Sequence, residues 1–519
     1  MTSPLPIVAL AGGVFSLVFY SWYRSRHSVP LPPGPKGNLI LGNALEVRDA
    51  SAFWLKFAEY TNQYGPIVTI RLLQMYHIVV SDPRIVSELF EKRAANYSDR
   101  PLRYMVNLLG WDKDIIIFLS YGPKLKYYRT LLQRALNNRV APDYVPLQKQ
   151  EVRKFMRRLA DNPAGFMENV HFMSASIAVR MAYGHKVESP DDRFVQNAEE
   201  VMGAFSDALR PGKWVVDIFP PLRYVPAWFP FATFRRQIAT WQRLGYSYRD
   251  EPFEFVEKQM ADGVAEDSFT SKLLQPEDGK PVDDETKEHI KHLAASLYGA
   301  GSDTTVSVIQ SFFLAMALYP DVQAKAQAEI AAYLKQRLTD DPSSSRFLMP
   351  EDRSGLPYTS ALVRELLRWH PVANIIPHQS GGEDDNNVIS EGKTYRIPAN
   401  TLVIVNSWQM LHNPDVYFEP ERFMPERYLV ANPPPDPESY AFGFGRRICP
   451  GIHVAQQSMW LAVSNTLANF NTTKAKDENG LEVTPEERYT NDIISHPLPF
   501  LCCIAPREDC KEWLREESE

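Results

Sequence analysis

The fold is decided by Phe442-Gly443-Phe444-Gly445-Arg446-Arg447-Ile448-Cys449-Pro450-Gly451, near the C-terminal end of a chain of 519 residues. The stretch places one cysteine in a glycine-rich turn, with an arginine two residues before it and a glycine two residues after it. Because glycine has no Cβ, such a turn can take positive φ angles and run close to a flat ligand. Its backbone N–H groups can point at the sulfur and stabilise the thiolate.

The cysteine of this turn has two open interpretations. A lone thiolate in a loop of this kind can be the axial ligand of a haem iron, and the guanidinium of Arg447 can reach a haem propionate. The alternative is a small buried cysteine that only fills space. A zinc site is not indicated, because no CxxC pair or Cys/His cluster accompanies Cys449.

The spacing of the turn resembles the haem-ligand loop of the cytochrome P450 superfamily, whose pattern is Phe-x-x-Gly-x-Arg-x-Cys-x-Gly. Every position of that pattern is filled, by Phe442, Gly445, Arg447, Cys449 and Gly451. The resemblance implies that Cys449 binds the iron of haem b and that the other four residues help to bind the cofactor.

The composition is that of one large folded protein. The chain is 44% hydrophobic, and its net charge of −7 gives no argument for binding nucleic acid. No linker, low-complexity tract or internal repeat divides it, so residues 38–519 are predicted to form a single catalytic domain. The cysteines do not form a disulfide framework and indicate a reducing compartment; they are Cys449, Cys502, Cys503 and Cys510.

The N-terminal residues 1–23 predict a transmembrane anchor. They carry no charged side chain, and about 20 apolar residues are enough to cross a bilayer. Arg24 and Arg26 follow at once, which places the rest of the chain in the cytosol. A cleaved signal peptide is the alternative. Residues 24–37 resemble the proline-rich hinge of microsomal members, and together the two segments predict a single-pass protein of the endoplasmic reticulum membrane.

The remaining sequence predicts an α+β fold that is mainly α. Alternation over residues 66–82 predicts a hairpin, and residues 389–406 are rich in predicted strands. A long helix is predicted from about Asp284 to Tyr319, and a second from about Tyr358 to Trp369. The acidic residues 383–387 are predicted to form a solvated loop. The resemblance implies the cytochrome P450 fold, a triangular helical prism with small β-sheets and haem between the long central helix and the Cys449 loop.

The long helix contains Ala300-Gly301-Ser302-Asp303-Thr304-Thr305, residues that are poor helix formers. Apolar residues flank the string, which indicates a buried helix in which an Asp–Thr pair needs partners or a task. A solvent-facing patch is the alternative. The string resembles the acid–alcohol motif of the same superfamily. The resemblance implies that Thr304 hydrogen-bonds the bound dioxygen or its water and that Asp303 relays protons to it.

Two further strings resemble the ExxR and PERF motifs of the superfamily. Glu365 and Arg368 share one face of a predicted helix, and such a pair, when exposed, is worth only about 0.3–0.5 kcal/mol. Pro420-Glu421-Arg422-Phe423 lies 26 residues before Cys449. The resemblance implies that Glu365, Arg368 and Arg422 form an ion-pair triad beneath the haem, with a structural role.

The resemblance also implies that Arg129 and His378 contact the haem propionates, although a lone histidine is often an ordinary surface or core residue. Arg129 belongs to a segment that usually reads Trp-x-x-x-Arg, and here Leu125 replaces the tryptophan and removes an indole N–H donor. The same predicted helix is basic. Its charged face either is simply solvated or meets the acidic flavin domain of NADPH–cytochrome P450 reductase; its residues are Lys124, Lys126, Arg129, Arg134 and Arg139.

The implied reaction is the insertion of one oxygen atom into a lipophilic small molecule, with electrons from NADPH. The chain is similar to fungal (basidiomycete) secondary-metabolism monooxygenases, which points to terpenoid, polyketide or indole alkaloid substrates. Residues 219–231 are apolar and proline-rich, and either pack in the core or dip into membrane lipid. Candidate substrate contacts, each of which can equally be core, are Leu297, Ala300, Gly301, Val372, Ile376 and Ile493.

Three other classes of function are compatible with the sequence. One is a reductase-independent haem–thiolate isomerase or peroxygenase, whose members often lack the acid–alcohol pair. Another is a sterol, fatty-acid or xenobiotic hydroxylase. A non-catalytic haem-binding membrane protein is the third, and no motif is damaged in a way that favours it.

Overall fold

Helices dominate the fold, and the predicted α+β, mainly α class is confirmed. The computed structural model describes residues 29–48, 50, 52–73, 75–189, 191–210, 213–229, 232–276 and 280–510. The predicted anchor, residues 1–23, and the first part of the predicted hinge lie outside the described residues.

The α-helices follow one another along most of the described chain. In the N-terminal half they are α1 Ala44–Arg48, α2 Phe53–Tyr64, α3 Pro83–Ser87, α4 Tyr104–Leu109, α5 Pro123–Leu136, α6 Val145–Asp161, α7 Phe166–Tyr183, α8 Arg193–Leu209, α9 Val215–Ile218 and α10 Thr233–Ala261. In the C-terminal half they are α11 Phe269–Leu274, α12 Asp284–Leu318, α13 Pro320–Asp340, α14 Pro357–Trp369, α15 Ser407–Leu411, α16 Glu438–Ala441 and α17 Ile452–Asn469.

The strands form small sheets beside the helices. They are β1 Ile67–Leu72, β2 Met75–Val80, β3 Ile375–Gln379, β4 Asp385–Ser390, β5 Lys393–Ile397, β6 Leu402–Asn406, β7 Phe470–Lys476, β8 Glu482–Val483 and β9 Cys502–Pro506. The largest sheet has the order β1-β2-β6-β3, in which only β2 and β6 run parallel. The others are the β4-β5 pair and the sheet β8-β7-β9. The first sheet brings the N-terminal hairpin against the segment that follows α14.

The long helix α12 is the centre of the main hydrophobic core. From Thr305 to Ala317 its side chains are buried all round, as expected for a helix that other helices surround. It begins where the Asp283 side chain accepts a hydrogen bond from the Thr286 N–H, and it ends before Pro320. Helices α7 and α17 pack against it. The prediction of one long buried helix at these residues is confirmed.

The helix α12 passes through its poor helix formers without a break. The hydroxyl of Thr304 donates to the Ala300 carbonyl at 2.8 Å, and that of Ser302 donates to the Gly299 carbonyl at 3.1 Å. These bonds satisfy the hydroxyls within the helix itself. The poor helix formers are therefore accommodated within a continuous α-helix.

The acidic stretch 383–387 is only partly the loop that the sequence suggests, because β4 begins at Asp385. The Asp385 carboxylate accepts hydrogen bonds from Arg93 at 2.9 Å and from the Tyr97 hydroxyl at 2.8 Å. Burial by itself would raise the pKa of Asp385, and these hydrogen bonds outweigh it and lower that pKa. A charged residue that looks solvated in the sequence thus ties β4 to the π-helical turn Glu88–Lys92 and the residues after it.

Part of the proline-rich segment is tied to the sheets. The Pro33 carbonyl accepts a hydrogen bond from the Thr69 N–H at 2.8 Å, and the Pro30 carbonyl accepts one from the Arg396 N–H at 2.8 Å. A Cβ at Gly34 would lie 1.9 Å from the Thr69 carbonyl oxygen, so only glycine fits this close approach. From Pro30 onward the segment is extended and fixed to the folded body.

Among the described residues, no single helix combines the length and the apolar composition needed to cross a membrane. Only α12 and α13 taken together meet that test, and they are bent by 106° at the break between them.

The turn 442–451 lies between α16 and α17 and is fixed to the sheet side of the molecule. Gly445 has φ +54°, and a Cβ there would lie 1.8 Å from the Phe90 carbonyl oxygen. The rings of Phe444 and Phe90 stack, with 6.3 Å between their centroids. The position therefore requires glycine twice over, for its backbone angle and for the close approach.

A buried charge cluster joins α14 to the segment before the turn. The Glu365 and Arg368 side chains have no solvent exposure, and the Arg368 guanidinium donates to both Glu365 oxygens at 2.9 Å. The second cation on Glu365 is Arg427, whose Nε lies 3.1 Å from Oε2. The Met424 N–H donates to the same carboxylate at 2.8 Å. Because every charge has a partner, the cluster can exist away from water.

The prediction that Arg422 completes this triad is wrong. Its side chain is exposed and pairs with Glu419 at 3.4 Å, and only its backbone carbonyl joins the cluster, as an acceptor from Arg368 and Arg427. The sequence repeats Pro-Glu-Arg at 425–427, and the 3₁₀ turn Pro425–Tyr428 directs the second arginine toward Glu365.

Replacing Arg427 and Arg422 separately tests which arginine stabilises the buried Glu365 cluster. Arg427→Leu is expected to lower the free energy of unfolding by about 3–5 kcal/mol, because it leaves Glu365 with one cation fewer in a buried site. Arg422→Leu is the matched control and is expected to cost less than about 1 kcal/mol. Urea unfolding of both variants measures the difference. A larger loss of unfolding free energy in Arg422→Leu than in Arg427→Leu would contradict the assignment of Arg427 to the cluster.

Replacing two glycines of positive φ tests the packing of the turn. Gly445→Ala is expected to cost more than about 3 kcal/mol, because the backbone of Phe90 must move in addition to the cost of the φ angle. Gly480→Ala, at φ +79° with no atom within 4 Å of its Cβ, is expected to cost only about 1–2 kcal/mol. Urea unfolding gives both values, and equal losses would show that the contact with Phe90 does not constrain the turn.

Candidate functional site

Cys449 lies at the end of the turn, where its N–H donates to the Phe442 carbonyl at 2.8 Å. The Gly451 N–H points at the sulfur, and the charge of Arg129 lies close enough to favour the thiolate. Burial is the stronger effect and raises the pKa of the free thiol. A bound metal ion reverses this balance, since it deprotonates a coordinating thiol.

The chemistry of this single sulfur favours a macrocyclic cofactor. Within the described part of the chain, no group of three or more His, Cys, Asp or Glu side chains is placed to hold a metal ion. A metal on Cys449 would therefore take its remaining ligands from the cofactor, as the iron of haem does.

The guanidinium of Arg447 fastens the turn to the residues before α5. It donates to the carbonyls of Ser98 at 2.7 Å, Leu119 at 2.5 Å and Ile116 at 3.4 Å. Burial and the nearby charge of Arg100 lower the pKa of Arg447 to about 9, against an opposing effect of Asp99. In this arrangement Arg447 mainly holds the turn, and other cations nearby keep unused donors.

Unused donors belong to Arg100, and His378 adds an unused ring nitrogen. His378 is buried on β3; its Nδ1 bonds to the Tyr97 carbonyl at 2.8 Å, and its Nε2 has no partner among the described residues. The Nε and Nη1 atoms of Arg100 are buried and likewise lack a partner within the described chain. Burial lowers the pKa of Arg100 to about 10, and burial with Arg100 and Arg447 holds that of His378 well below its usual value.

A buried guanidinium with unused N–H groups fits an anionic ligand. Unpaired charges are costly in the interior, and carboxylates are the best partners of guanidinium groups. The two propionates of haem would supply such carboxylates beside the thiolate. Arg129, whose pKa burial also lowers, completes the cationic side of the site. The residues present therefore fit haem.

Arg100 is a site residue that the sequence did not reveal. It stands in no motif, and the groups around it come from β3 and the turn, far away along the chain. Leu125, which replaces the expected tryptophan on α5, is buried in the main core and offers no polar atom. Arg100 instead lies close to His378 and Arg447 and provides buried donors there.

The acid–alcohol pair lies on an open face of α12. Ala300 is exposed although Tyr298, Gly299 and the residues from Thr305 onward are buried, and Thr304 bonds back to the Ala300 carbonyl on this face. On the opposite side, the Ser174 hydroxyl of α7 donates to the Gly301 carbonyl at 2.9 Å. A Cβ at Gly301 would lie 3.0 Å from the Cβ of Ala178. The close contact with α7 thus fixes the position of the pair.

Asp303 has a partner that the sequence did not predict. Its Oδ1 lies 3.2 Å from Nε2 of His496, and both side chains are mostly buried. The ring of His496 stacks on that of His171 of α7, with 6.1 Å between centroids. A histidine more than 190 positions after the aspartate along the chain carries no local signal of this contact.

The candidate substrate contacts have different environments. Ala300 lies on the open face of α12, whereas Gly301 packs against Ala178 of α7. Leu297 and Val372 are partly buried against the main core, and Ile493 is half-buried. Ile376 is buried in the core of the first sheet with Val403 and Val405 on β6, so the core interpretation applies to it.

Comparison with known proteins agrees with this site. The family model described as Cytochrome P450 matches residues 32–504. Similar proteins include cytochrome P450 monooxygenase claR of Ampulloclitocybe clavipes, 35% identical over 98% of this chain and 92% of its own length. Another is cytochrome P450 monooxygenase 208 of Postia placenta, at 37% over 93% and 92%. A third is cytochrome P450 monooxygenase CLM2 of Gibberella zeae, at 34% over 98% and 95%.

The match covers nearly the whole chain, from the proline-rich segment to the last strand. It includes the turn around Cys449, the acid–alcohol pair on α12 and the Glu365–Arg368 pair, in an architecture of helices with small sheets. The chain belongs to the cytochrome P450 family, resembles its fungal members, and is a haem-thiolate monooxygenase.

Proposed function

We propose that this monooxygenase hydroxylates a small lipophilic substrate in fungal secondary metabolism, of the terpenoid, polyketide or indole alkaloid class. Its electrons come from NADPH through NADPH–cytochrome P450 reductase. The observation that carries the proposal is the Asp303–Thr304 pair on the open face of α12, with Asp303 bonded to His496. A monooxygenase needs proton delivery at that face.

The residues of the chain divide the work. Haem on Cys449 would supply the metal centre that uses dioxygen and two electrons. Arg100 and Arg129 would hold its carboxylates with charged donors, and His378 would offer its unused ring nitrogen beside them. The Thr304 hydroxyl, which already donates within α12, is placed to orient a ligand at the open face by rotating about its side-chain bond. Asp303, the residue before Thr304, is the group that takes up and releases protons for this face.

The acid–alcohol pair also weighs against the alternative of a peroxide-driven enzyme or isomerase. A peroxide-driven enzyme receives its oxygen atom already reduced, and an isomerase needs no oxygen. Neither reaction requires a proton path to dioxygen. Here Asp303 is kept mostly buried at the cost of desolvation, and its carboxylate is held by His496. An arrangement of this kind serves a reaction that consumes protons.

The surface of α5 supports docking of an acidic redox partner. Lys126, Arg134 and Arg139 are exposed on this helix or just after it, whereas Lys124 is paired with Asp114 at 2.5 Å. Free surface cations speed the encounter with an acidic protein, and the effect weakens with salt. We therefore place the reductase on this face.

Exposed apolar side chains support contact with membrane lipid. Trp228 is 80% exposed and Tyr224 74%, and Phe219 is exposed in the same connection between α9 and α10. Leu39 is 85% exposed near the N-terminal end of the described chain. Large apolar groups in water are costly unless a surface covers them. We infer an endoplasmic reticulum protein with residues 1–23 as its anchor and the catalytic domain in the cytosol.

The proposal is tested with the membrane-bound protein, a fungal reductase, NADPH and a panel of terpenes and aromatic compounds under ¹⁸O₂. The expected product gains one labelled oxygen atom, and only when both NADPH and the reductase are present. A product that forms with added peroxide alone, or that carries no label, would contradict the proposal.

Thr304→Ala tests the role of the hydroxyl at the open face. Loss of the hydroxyl is expected to lower product per NADPH by about tenfold or more, with peroxide released instead, because a positioned proton donor is removed. Thr304→Ser keeps the hydroxyl and is the matched control. Simultaneous assays of NADPH and peroxide measure the change. Unchanged coupling in the alanine variant would count against this role.

Arg100→Gln tests the predicted carboxylate contact. A charged hydrogen bond is worth about 1.5–3 kcal/mol, so haem affinity is expected to fall by roughly 10- to 100-fold. Arg100→Lys keeps the charge and is expected to lose less. Transfer of haem to a haem-scavenging protein gives the dissociation rate. Equal retention in the glutamine variant and the parent would show that Arg100 does not hold the cofactor.

A further inference from the structure

A row of polar side chains leads from the surface of α7 to the acid on α12. It comprises Glu168 and His171 of α7, His496 of the connection before β9, and Asp303. We propose that His496 and His171 form the outer half of the path that carries protons from solvent to Asp303. The inference deepens the proposed function and rests on it.

The inner contact of this row has the geometry for proton transfer. Nε2 of His496 lies 3.2 Å from Oδ1 of Asp303, with the two side chains 18% and 15% exposed. A proton carrier must stand within hydrogen-bond reach of the group that it serves. Both ring nitrogens of histidine can exchange protons, so the ring can take a proton on one side and release it on the other.

The outer nitrogen of His496 is free to receive a proton. Its Nδ1 is buried and, in the part of the chain that the structure describes, accepts no hydrogen bond and donates none. The ring of His171 stacks against the ring of His496, with 6.1 Å between the centroids and 26° between the ring planes. A buried polar atom without a partner needs water or a neighbouring group to satisfy it. A water molecule between the two rings would satisfy Nδ1 of His496 and would pass a proton to it.

The outer end of the row reaches solvent. Glu168 is exposed and stands three residues before His171 on α7, so both side chains share one face of the helix. Burial and His496 lower the pKa of His171, while Asp303 and Glu168 act in the opposite direction. His370, whose Nε2 bonds to the Ser495 hydroxyl, is a further titratable group near His496. The net effect lowers the pKa of His171, so its ring favours the neutral form, which can accept a proton from solvent.

The chain holds His496 in place from both sides. The backbone N–H of His496 donates to the Thr490 hydroxyl at 3.1 Å, and the backbone N–H of Thr490 donates to the His496 carbonyl at 2.8 Å. Next to it, the Ser307 hydroxyl of α12 donates to the Ser495 carbonyl at 2.5 Å. The Ser495 N–H donates to the Val372 carbonyl at 2.9 Å. The ring thus keeps a fixed position beside the helix that carries Asp303, as a relay requires.

The proton balance of the path is simple. A proton first adds to Nδ1 of His496 from the side of His171, which gives the positively charged ring. The N–H bond at Nε2 then breaks as an O–H bond forms at Oδ1 of Asp303, and no electrons are transferred. His171 regains its proton from solvent near Glu168. Tautomer exchange through water then restores the Nε2 proton. His496 is thus a positioning and relay residue that acts through Asp303.

His496→Gln tests the relay, because the amide keeps a donor toward Asp303 and cannot pass a proton on. The haem-loaded variant is assayed with reductase, NADPH and dioxygen alone. Reduction of dioxygen to water uses two NADPH molecules and additional protons, whereas peroxide uses one NADPH. Peroxide per NADPH is expected to rise at least about twofold, and water formation to fall about tenfold. His171→Gln is expected to change both in the same direction.

His185→Gln is the matched control, since His185 pairs with Asp192 at 2.7 Å away from α12 and is similarly buried. Its peroxide yield is expected to equal that of the parent. A parent that does not consume NADPH with oxygen and reductase would overturn the proposed function itself. A parent that does, with Thr304→Ala altered and both His496→Gln and His171→Gln unaltered, would overturn the relay alone.

A second measurement does not depend on turnover. Carbon monoxide bound to the reduced protein serves as the probe, and its C–O stretching frequency reports the electric field at the open face. His496→Gln and Asp303→Asn are each expected to shift this frequency from that of the parent, because each changes the bonded pair beside the open face. His185→Gln is expected to keep the parent frequency. A frequency in His496→Gln equal to that of the parent would contradict the proposal.

Discussion

The single sulfur of Cys449 is the constraint on which the rest of the structure depends. One thiolate cannot complete a metal site, and no cluster of ligating side chains stands beside it in the described chain. Since the chain belongs to a family that binds haem, the cofactor brings the remaining ligands of the metal. The turn around Cys449 lets the backbone run close to that cofactor, and the contact between Gly445 and the Phe90 carbonyl sets the turn against the sheets.

Buried charge is treated in two different ways in this protein. Around Glu365 every charged group has partners, so the cluster fixes the segment that leads to the turn. Around Arg100 and His378 donors remain unused in the described structure, which marks a place for carboxylates. The distinction separates a structural ion cluster from a binding site more clearly than charge or burial alone.

Local patterns in the sequence predicted much of the fold and part of the site. The long helix α12, the hairpin and the turn of Cys449 are each specified by residues close together in the chain. Contacts across the fold were missed, because His496 and Arg100 meet their partners only through packing of α7, α12 and β3. The PERF-like string points to Arg422, but Arg427 also follows Pro-Glu, and only the turn at 425–428 shows which arginine faces Glu365. Asp385 looked like a loop residue because its partners, Arg93 and Tyr97, lie far away along the chain.

The bond from the Cys449 sulfur to the haem iron is tested most directly by the absorbance spectrum of the reduced, carbon monoxide-bound protein. The parent is expected to show the red-shifted band that thiolate ligation gives. Haem-loaded Cys449→Ser is expected to lose that band while keeping bound haem. If the serine variant kept the band, the iron would have another ligand and this account of the site would be contradicted.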